Sequence, residues 1–119
     1  MHDSIVHSRE VDGHRVLSVQ GELDVATAPD LDAAGRTALQ VGLPVVVDLS
    51  GCTFLDSSGC RAVGMVGRGG SAAGLPACVV SPPQVTMVRR VVDHVGLRVL
   101  MPVHDSLAQA LVAEHREQA

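Results

Sequence analysis

The sequence predicts a mixed α/β domain with a mostly parallel sheet, and three observations predict it. A β-branched run, Val45-Val46-Val47-Asp48-Leu49, is of the kind found in strands covered by helices, and segments of helical periodicity lie on either side of it. An Asp12-Gly13 turn signal near the start marks an antiparallel hairpin. The chain has 119 residues, 46% of them hydrophobic and only 18% charged, which is enough for one real core and leaves little room for a second domain. The expected order is β-β-α-β-α-β-α-β-α, about five strands and four helices in a single domain over residues 1–119. Strands separated by single helices imply parallel neighbours joined by right-handed crossovers.

The elements follow in order. Ile5 to Arg9 reads as a short strand leading into the Asp12-Gly13 turn. From Arg15 to Leu23 the alternation is cleaner: Leu17, Val19 and Leu23 point one way, and Ser18, Gln20 and Glu22 the other. Thr27 with Asp30 resembles a capping box, and Pro29 is tolerated in a first helical turn. Leu31, Ala34, Ala38 and Leu39 then share a helical face until Gly42 and Pro44 stop it. After the Val45–Leu49 strand and a short connection, a second helix begins at Asp56-Ser57-Ser58-Gly59. Gly64, Gly67, Gly69 and Gly70 each cost about 1 kcal/mol in a helix interior. That helix is therefore expected to be sound only to Val66–Arg68 and to give way to a glycine loop through Gly74.

Pro76 to Ser81 makes a strand around Cys78-Val79-Val80, and Ser81-Pro82-Pro83-Gln84 reads as a strong helix start with Ser81 as N-cap. Val85, Val88, Val91, Val92 and Val95 form the buried stripe of that helix, with Gly96 as its stop. Arg98 to Met101 reads as the last strand. Asp105 or Ser106 then caps a terminal helix whose Leu107, Ala110 and Leu111 face inward.

Composition excludes several function classes. Phe54 is the one aromatic residue, so base stacking on an aromatic platform is ruled out, and a net charge of −4 repels phosphate backbones. No nucleic-acid partner is expected. No apolar run reaches the length of a membrane span, and the polar start Met1-His2-Asp3-Ser4 lacks the layout of a secretory signal. Cys52, Cys60 and Cys78 match no zinc or redox spacing, which points to reduced thiols and a cytoplasmic location. The six histidines show no H-x-x-x-H pattern, and neither a metal nor a cofactor is expected.

Asp56-Ser57-Ser58-Gly59 carries the chemistry. A helix N-terminus presents free backbone N–H groups and about half a positive charge, so it tolerates an anion. Asp56 suits the N-cap, and Ser57 sits where a phosphate fits without unfolding the helix. Such sites lie at the carboxyl ends of strands in open α/β sheets, and Asp24, at the end of its own strand, belongs near the same edge. By itself, the four-residue segment is mostly just a capping segment, made of ordinary N-cap residues. Arg61, one turn beyond Ser57, can pair with a phosphate or a partner carboxylate, or stand as a solvated charge. Cys60 at the helix start is either a thiol of lowered pKa or, more simply, a small core residue.

Taken together, Gly21-Glu22-Leu23-Asp24 with Thr27, the stretch from Val46 through Phe54-Leu55-Asp56-Ser57-Ser58-Gly59, and Val95-Gly96-Leu97 through Ala110-Leu111 resemble the STAS domain family of anti-sigma factor antagonists. The resemblance covers nearly the whole chain in the right order. It implies a partner-switching protein that binds an anti-sigma factor serine kinase when unphosphorylated and so frees a sigma factor. It also implies that the kinase uses ATP to phosphorylate Ser57 and that a phosphatase reverses the modification. Asp24, Thr27, Asp56, Ser58 and Gly59 match positions around the family's partner-binding surface, and Arg61 is added to them here on its spacing from Ser57. Where the family usually has small residues after Asp-Ser-Ser-Gly, this chain has Cys60-Arg61, and the glycine-rich run after Val66 also departs from the usual charged helix end.

An enzyme is not the expected reading. Ser57 has no His or Lys at motif distance, and no P-loop pattern is present. Asp48 ends a hydrophobic strand, as in a phospho-receiver domain, but the final strand region holds no Lys. The closer alternative is a STAS-like scaffold without a switch, such as a subunit of a lipid-transport complex.

Overall fold

The computed structural model describes residues 4–118, with side chains described as far as Glu114. Five strands form one sheet in chain order: β1 (Val6–Val11), β2 (His14–Leu23), β3 (Val45–Leu55), β4 (Ala77–Val80) and β5 (Val103–His104). β1 pairs antiparallel with β2 through the Asp12-Gly13 turn, and the remaining neighbours are parallel. Four helices accompany them: α1 (Ala28–Val41), α2 (Ser57–Ala73), α3 (Thr86–His94) and α4 (Leu107–Gln118). Sequential strand order with right-handed crossovers places α1, α2 and α3 on one face. There Leu31, Val63, Val66, Val88 and Val92 pack on Leu17, Val19, Val45, Val47 and Val79. α4 covers the opposite face, where Val16, Val46, Cys78, Val80 and Ala110 form a second, smaller cluster.

Much of the local reading holds. Leu17, Val19 and Leu23 are fully buried on one face of β2. α1 stops at Gly42, whose φ of 82° a side chain would strain. Ser106 is the cap of α4, its Oγ accepting from Gln109 N at 3.1 Å. The hairpin strand begins and ends slightly later than expected, at Val6 and Val11.

Six expectations are corrected. The strand expected to end at Leu49 continues to Leu55, because its second half pairs with β2 as far as Leu23↔Leu55. α2 does not fail at Arg68 but runs to Ala73 and closes on Gly74, where φ is 71°. Its glycines are close-approach points. A Cβ on Gly67 would stand 2.8 Å from Met101 Cε, and one on Gly70 would stand 2.7 Å from the Leu75 carbonyl oxygen. The intrinsic cost of those glycines is offset by burial of Ala62, Val63 and Val66, at about 1.5–3 kcal/mol for each fully buried valine.

Ser81 does not cap α3. Its N–H donates to the His104 carbonyl at 2.9 Å, which keeps it in line with the sheet, and the helix starts only at Thr86. Val95 falls at the end of α3 and is 48% exposed, so the buried stripe is Val88 and Val92, with Val85 and Val91 packed at its border. Arg98 to Met101 is not a strand. A 3-10 turn occupies Leu97–Val99 after left-handed Gly96, and the last strand is the short Val103–His104. The Thr27–Asp30 capping box is also absent. Asp30 instead accepts from Ile5 N at 3.2 Å, tying α1 to the start of β1.

Candidate functional site

The site forms where β2 and β3 end side by side. Leu23 and Leu55 are register partners, and Asp56 N donates to the Leu23 carbonyl at 3.3 Å. Asp24 and Asp56 therefore leave the sheet from adjacent parallel strands, at their carboxyl ends. Each carboxylate organises the turn that follows it.

Asp56 is the N-cap of α2, with Oδ1 accepting from Gly59 N at 2.9 Å. This satisfies one of the N–H groups that a helix start leaves without an intrahelical partner. Gly59 is buried, and a side chain on it would collide with the Leu23 carbonyl oxygen and with Leu55 Cδ1. The glycine lets the first turn of α2 lie directly against the end of β2. Ser57 is then the first residue of the helix and is exposed, while Ser58 is half-buried.

Asp24 and Thr27 form a closed turn. Asp24 Oδ1 accepts from Ala26 N at 3.0 Å and from Thr27 N at 3.2 Å. Thr27 Oγ1 donates to the Glu22 carbonyl at 2.7 Å and accepts from Asp24 N at 2.9 Å. Both side chains thus shape the β2–α1 connection and stay partly exposed. Val25 projects from this turn at 73% exposure, and Phe54 near the end of β3 is 40% exposed. The apolar part of the rim comes from these two residues.

Arg61 lies one turn beyond Ser57 and is not idle. Its Nη2 donates to Asp32 Oδ2 of α1 at 3.1 Å, while the arginine side chain remains 56% exposed. Such a pair holds by less than about 1 kcal/mol in water, so an anion on Ser57 can compete for it.

A groove of about 320 Å³ runs from Ser57 along α2, with Arg61, Met65 and Arg68 on one wall and Val95 and Leu100 on the other. The sequence reading did not single out Met65, Arg68, Val95 or Leu100 for this site. The spacing of residues 57, 61, 65 and 68 was the available signal for the α2 wall, since they share one helical face. The other wall depends on the 3-10 turn and carried no such signal.

Cys52 and Cys60 pack in the main core. All three cysteines are buried and lie outside any disulfide. Burial pushes the Cys60 thiol up, and the Asp56 carboxylate and Cys52 push it further the same way; burial likewise raises Cys52. The helix N-terminus does not make Cys60 a thiolate.

Comparison with known proteins supports the fold. A family model described as "Mlab, STAS domain" matches residues 6–102. A solved structure of an anti-sigma factor antagonist from Mycobacterium paratuberculosis shares 31% identity over 91% of each chain, with a TM-score of 0.76. An anti-sigma factor antagonist described for Thermotoga maritima superposes with a TM-score of 0.79 at 21% identity, covering 91% of this chain and 92% of its own. The Bacillus cell fate determinant SpoIIAA in its phosphorylated form has the same fold at 23% identity, with a TM-score of 0.66 over 91% of this chain and 97% of that one. No curated protein matches the chain.

Proposed function

This chain belongs to the STAS domain family of anti-sigma factor antagonists, and from that premise we propose that it is a partner switch operated at Ser57. Unphosphorylated, it binds an anti-sigma factor that is also a serine kinase, and a sigma factor is released. The kinase spends ATP to phosphorylate Ser57, the complex separates, and a phosphatase resets the protein in the cytoplasm. Residues 1–119 act as one STAS domain in this scheme, with no catalytic residue and no cofactor of their own.

The observation that carries the reading is the exposed Ser57 at the first position of α2, behind the Asp56 cap. A kinase can reach that position, and the helix can hold what the kinase adds. Phosphorylation brings about −1.5 to −2 charges and three acceptor oxygens. The helix start and Arg61 stabilise that charge within the protein. In a tight interface, the same charge stands beside Asp24 and Asp56 and adds bulk. The cost falls on the complex and shows as faster dissociation. Asp24, Thr27, Asp56, Ser58, Gly59 and Arg61 frame the docking surface, with Val25 and Phe54 as its exposed apolar contacts.

The test is incubation with the candidate anti-sigma factor kinase and ATP, with the phosphate located by mass spectrometry, followed by calorimetric titration of variants. Ser57→Ala is expected to bind as the wild type does. Ser57→Asp is expected to bind at least tenfold more weakly, about 1.4 kcal/mol. Equal affinities for all three proteins, with no phosphate at Ser57, would sink the switch. That result would favour the STAS scaffold without a switch, such as a lipid-transport subunit.

A further inference from the structure

On the opposite face of the sheet, far from the switch in topology, three side chains of metal-binding type converge. The inward face of α4 repeats at Leu107, Ala110, Leu111 and Glu114, the spacing of an apolar stripe. Its fourth member is a carboxylate, and it is only 2% exposed. A buried carboxylate needs a compensating partner. Glu114 Oε1 lies 3.2 Å from His104 Nε2. His104 belongs to β5 and is the register partner of Val80 on β4. Strand alternation puts Cys78, two residues before Val80, on that same face, where it is fully buried.

The Cys78 sulfur, one His104 nitrogen and one Glu114 oxygen all lie within 4.8 Å of one another. Among the described residues, this is the only group of three Cys, His, Asp or Glu side chains close enough to hold a metal ion. We propose that Cys78, His104 and Glu114 form a binding site for one zinc-class divalent metal ion, which pins α4 to β4 and β5. Thiolate, imidazole and carboxylate together suit a borderline-soft, four-coordinate ion. Bonds of about 2.0–2.3 Å in a tetrahedron hold ligands roughly 3.5 Å apart, so three atoms within 4.8 Å of one another need to close by at most about 1.3 Å. The His104 side chain is 17% exposed, which gives the ion a way in and a water molecule access to the fourth position. On binding, the thiol releases its proton to solvent and the two positive charges neutralise thiolate and carboxylate.

The ion would strengthen a weak contact. Among the described residues of α4, Ala110 is the one hydrophobic side chain that is fully buried, with Leu107 packed at the edge. A structural metal at the far end of the helix complements that small apolar area.

The experiment uses the tag-free full chain, stripped with chelator and titrated with Co²⁺, then with Zn²⁺. The expected result is one Co²⁺ per chain with a thiolate-to-cobalt charge-transfer absorption, displaced by Zn²⁺, and a rise in Tm with Zn²⁺. Cys78→Ser should abolish that absorption while Cys60→Ala keeps it, and His104→Gln and Glu114→Gln should each weaken binding at least tenfold. No absorption from the folded wild type, or absorption that survives in Cys78→Ser, overturns the proposal. If circular dichroism shows Cys78→Ser unfolded, His104→Gln and Glu114→Gln decide, and wild-type affinity in both overturns it. A simple His104–Glu114 hydrogen-bonded pair, holding no metal, predicts no absorption from the folded wild type.

Discussion

Asp56 does two things with one carboxylate: it caps α2 and it fixes where Ser57 is presented. Replacing it with Ala removes the bond to Gly59 N and should lower stability by about 1 kcal/mol, or roughly 4 °C in Tm by thermal denaturation. Asp56→Asn, which keeps an acceptor oxygen, should lose much less. The cysteines give a second residue-scale prediction. Since burial raises Cys52 and Cys60, iodoacetamide at pH 8 should label both in the folded protein at least tenfold more slowly than in the denatured chain. Rapid labelling of Cys60 in the native state would restore the reading of a thiol of lowered pKa. Asp24 and Thr27 are legible in the sequence as a pair at a strand end, but not as the closed turn that they form. Asp24 Oδ1 satisfies the N–H of Ala26 and Thr27 where the expected capping box would have used Asp30. Local spacing names capping residues well, but the partner each one takes depends on the strand arriving beside it.

At the scale of the element, α2 is the informative case. Four interior glycines of one helix, Gly64, Gly67, Gly69 and Gly70, read locally as a break, because each forfeits helix propensity. The unbroken helix reaches Ala73 because burial of Ala62, Val63 and Val66 offsets that loss, while the glycines let the Leu39 and Met101 side chains and the Leu75 carbonyl approach closely. The two kinds of neighbour make a sign prediction. On Gly70 a methyl would meet the backbone carbonyl of Leu75 at 2.7 Å, whereas on Gly69 it would meet the terminal Cδ1 of Leu39 at 2.6 Å, a flexible side-chain end. Gly70→Ala should therefore destabilise by about 1–3 kcal/mol in urea denaturation. Gly69→Ala should be neutral or stabilise by up to about 1 kcal/mol, as the leucine swings aside and propensity is regained. Equal effects would mean that propensity, not contact, governs this helix. The same contrast explains the misread segment at Arg98–Met101. Its apolar residues suggest a strand, yet Val99 is 88% exposed and the chain there makes a turn that supplies Leu97 and Met101 to the core.

For the whole molecule, a switch differs from a destabilising lesion in leaving the fold intact. Ser57→Asp places a negative charge at the N-terminus of α2, a position that favours it by about 0.3–1 kcal/mol. Its Tm should match or slightly exceed that of the wild type while its affinity for the kinase partner falls; a variant that loses both has merely unfolded. The chain order of elements, the mostly parallel sheet and the position of Ser57 at a helix start were readable from the sequence by itself. Alternation, β-branched runs and cap residues are encoded within a few neighbouring positions. Only the tertiary structure decided that β2 and β3 end side by side, that α2 survives its glycines, that Arg61 is held by Asp32, and that Cys78, His104 and Glu114 meet across three elements. Those are relations between segments 26 to 36 positions apart or drawn from separate elements. No periodicity carries them, because they are created when apolar faces pack and bring distant backbone and side chains to one place.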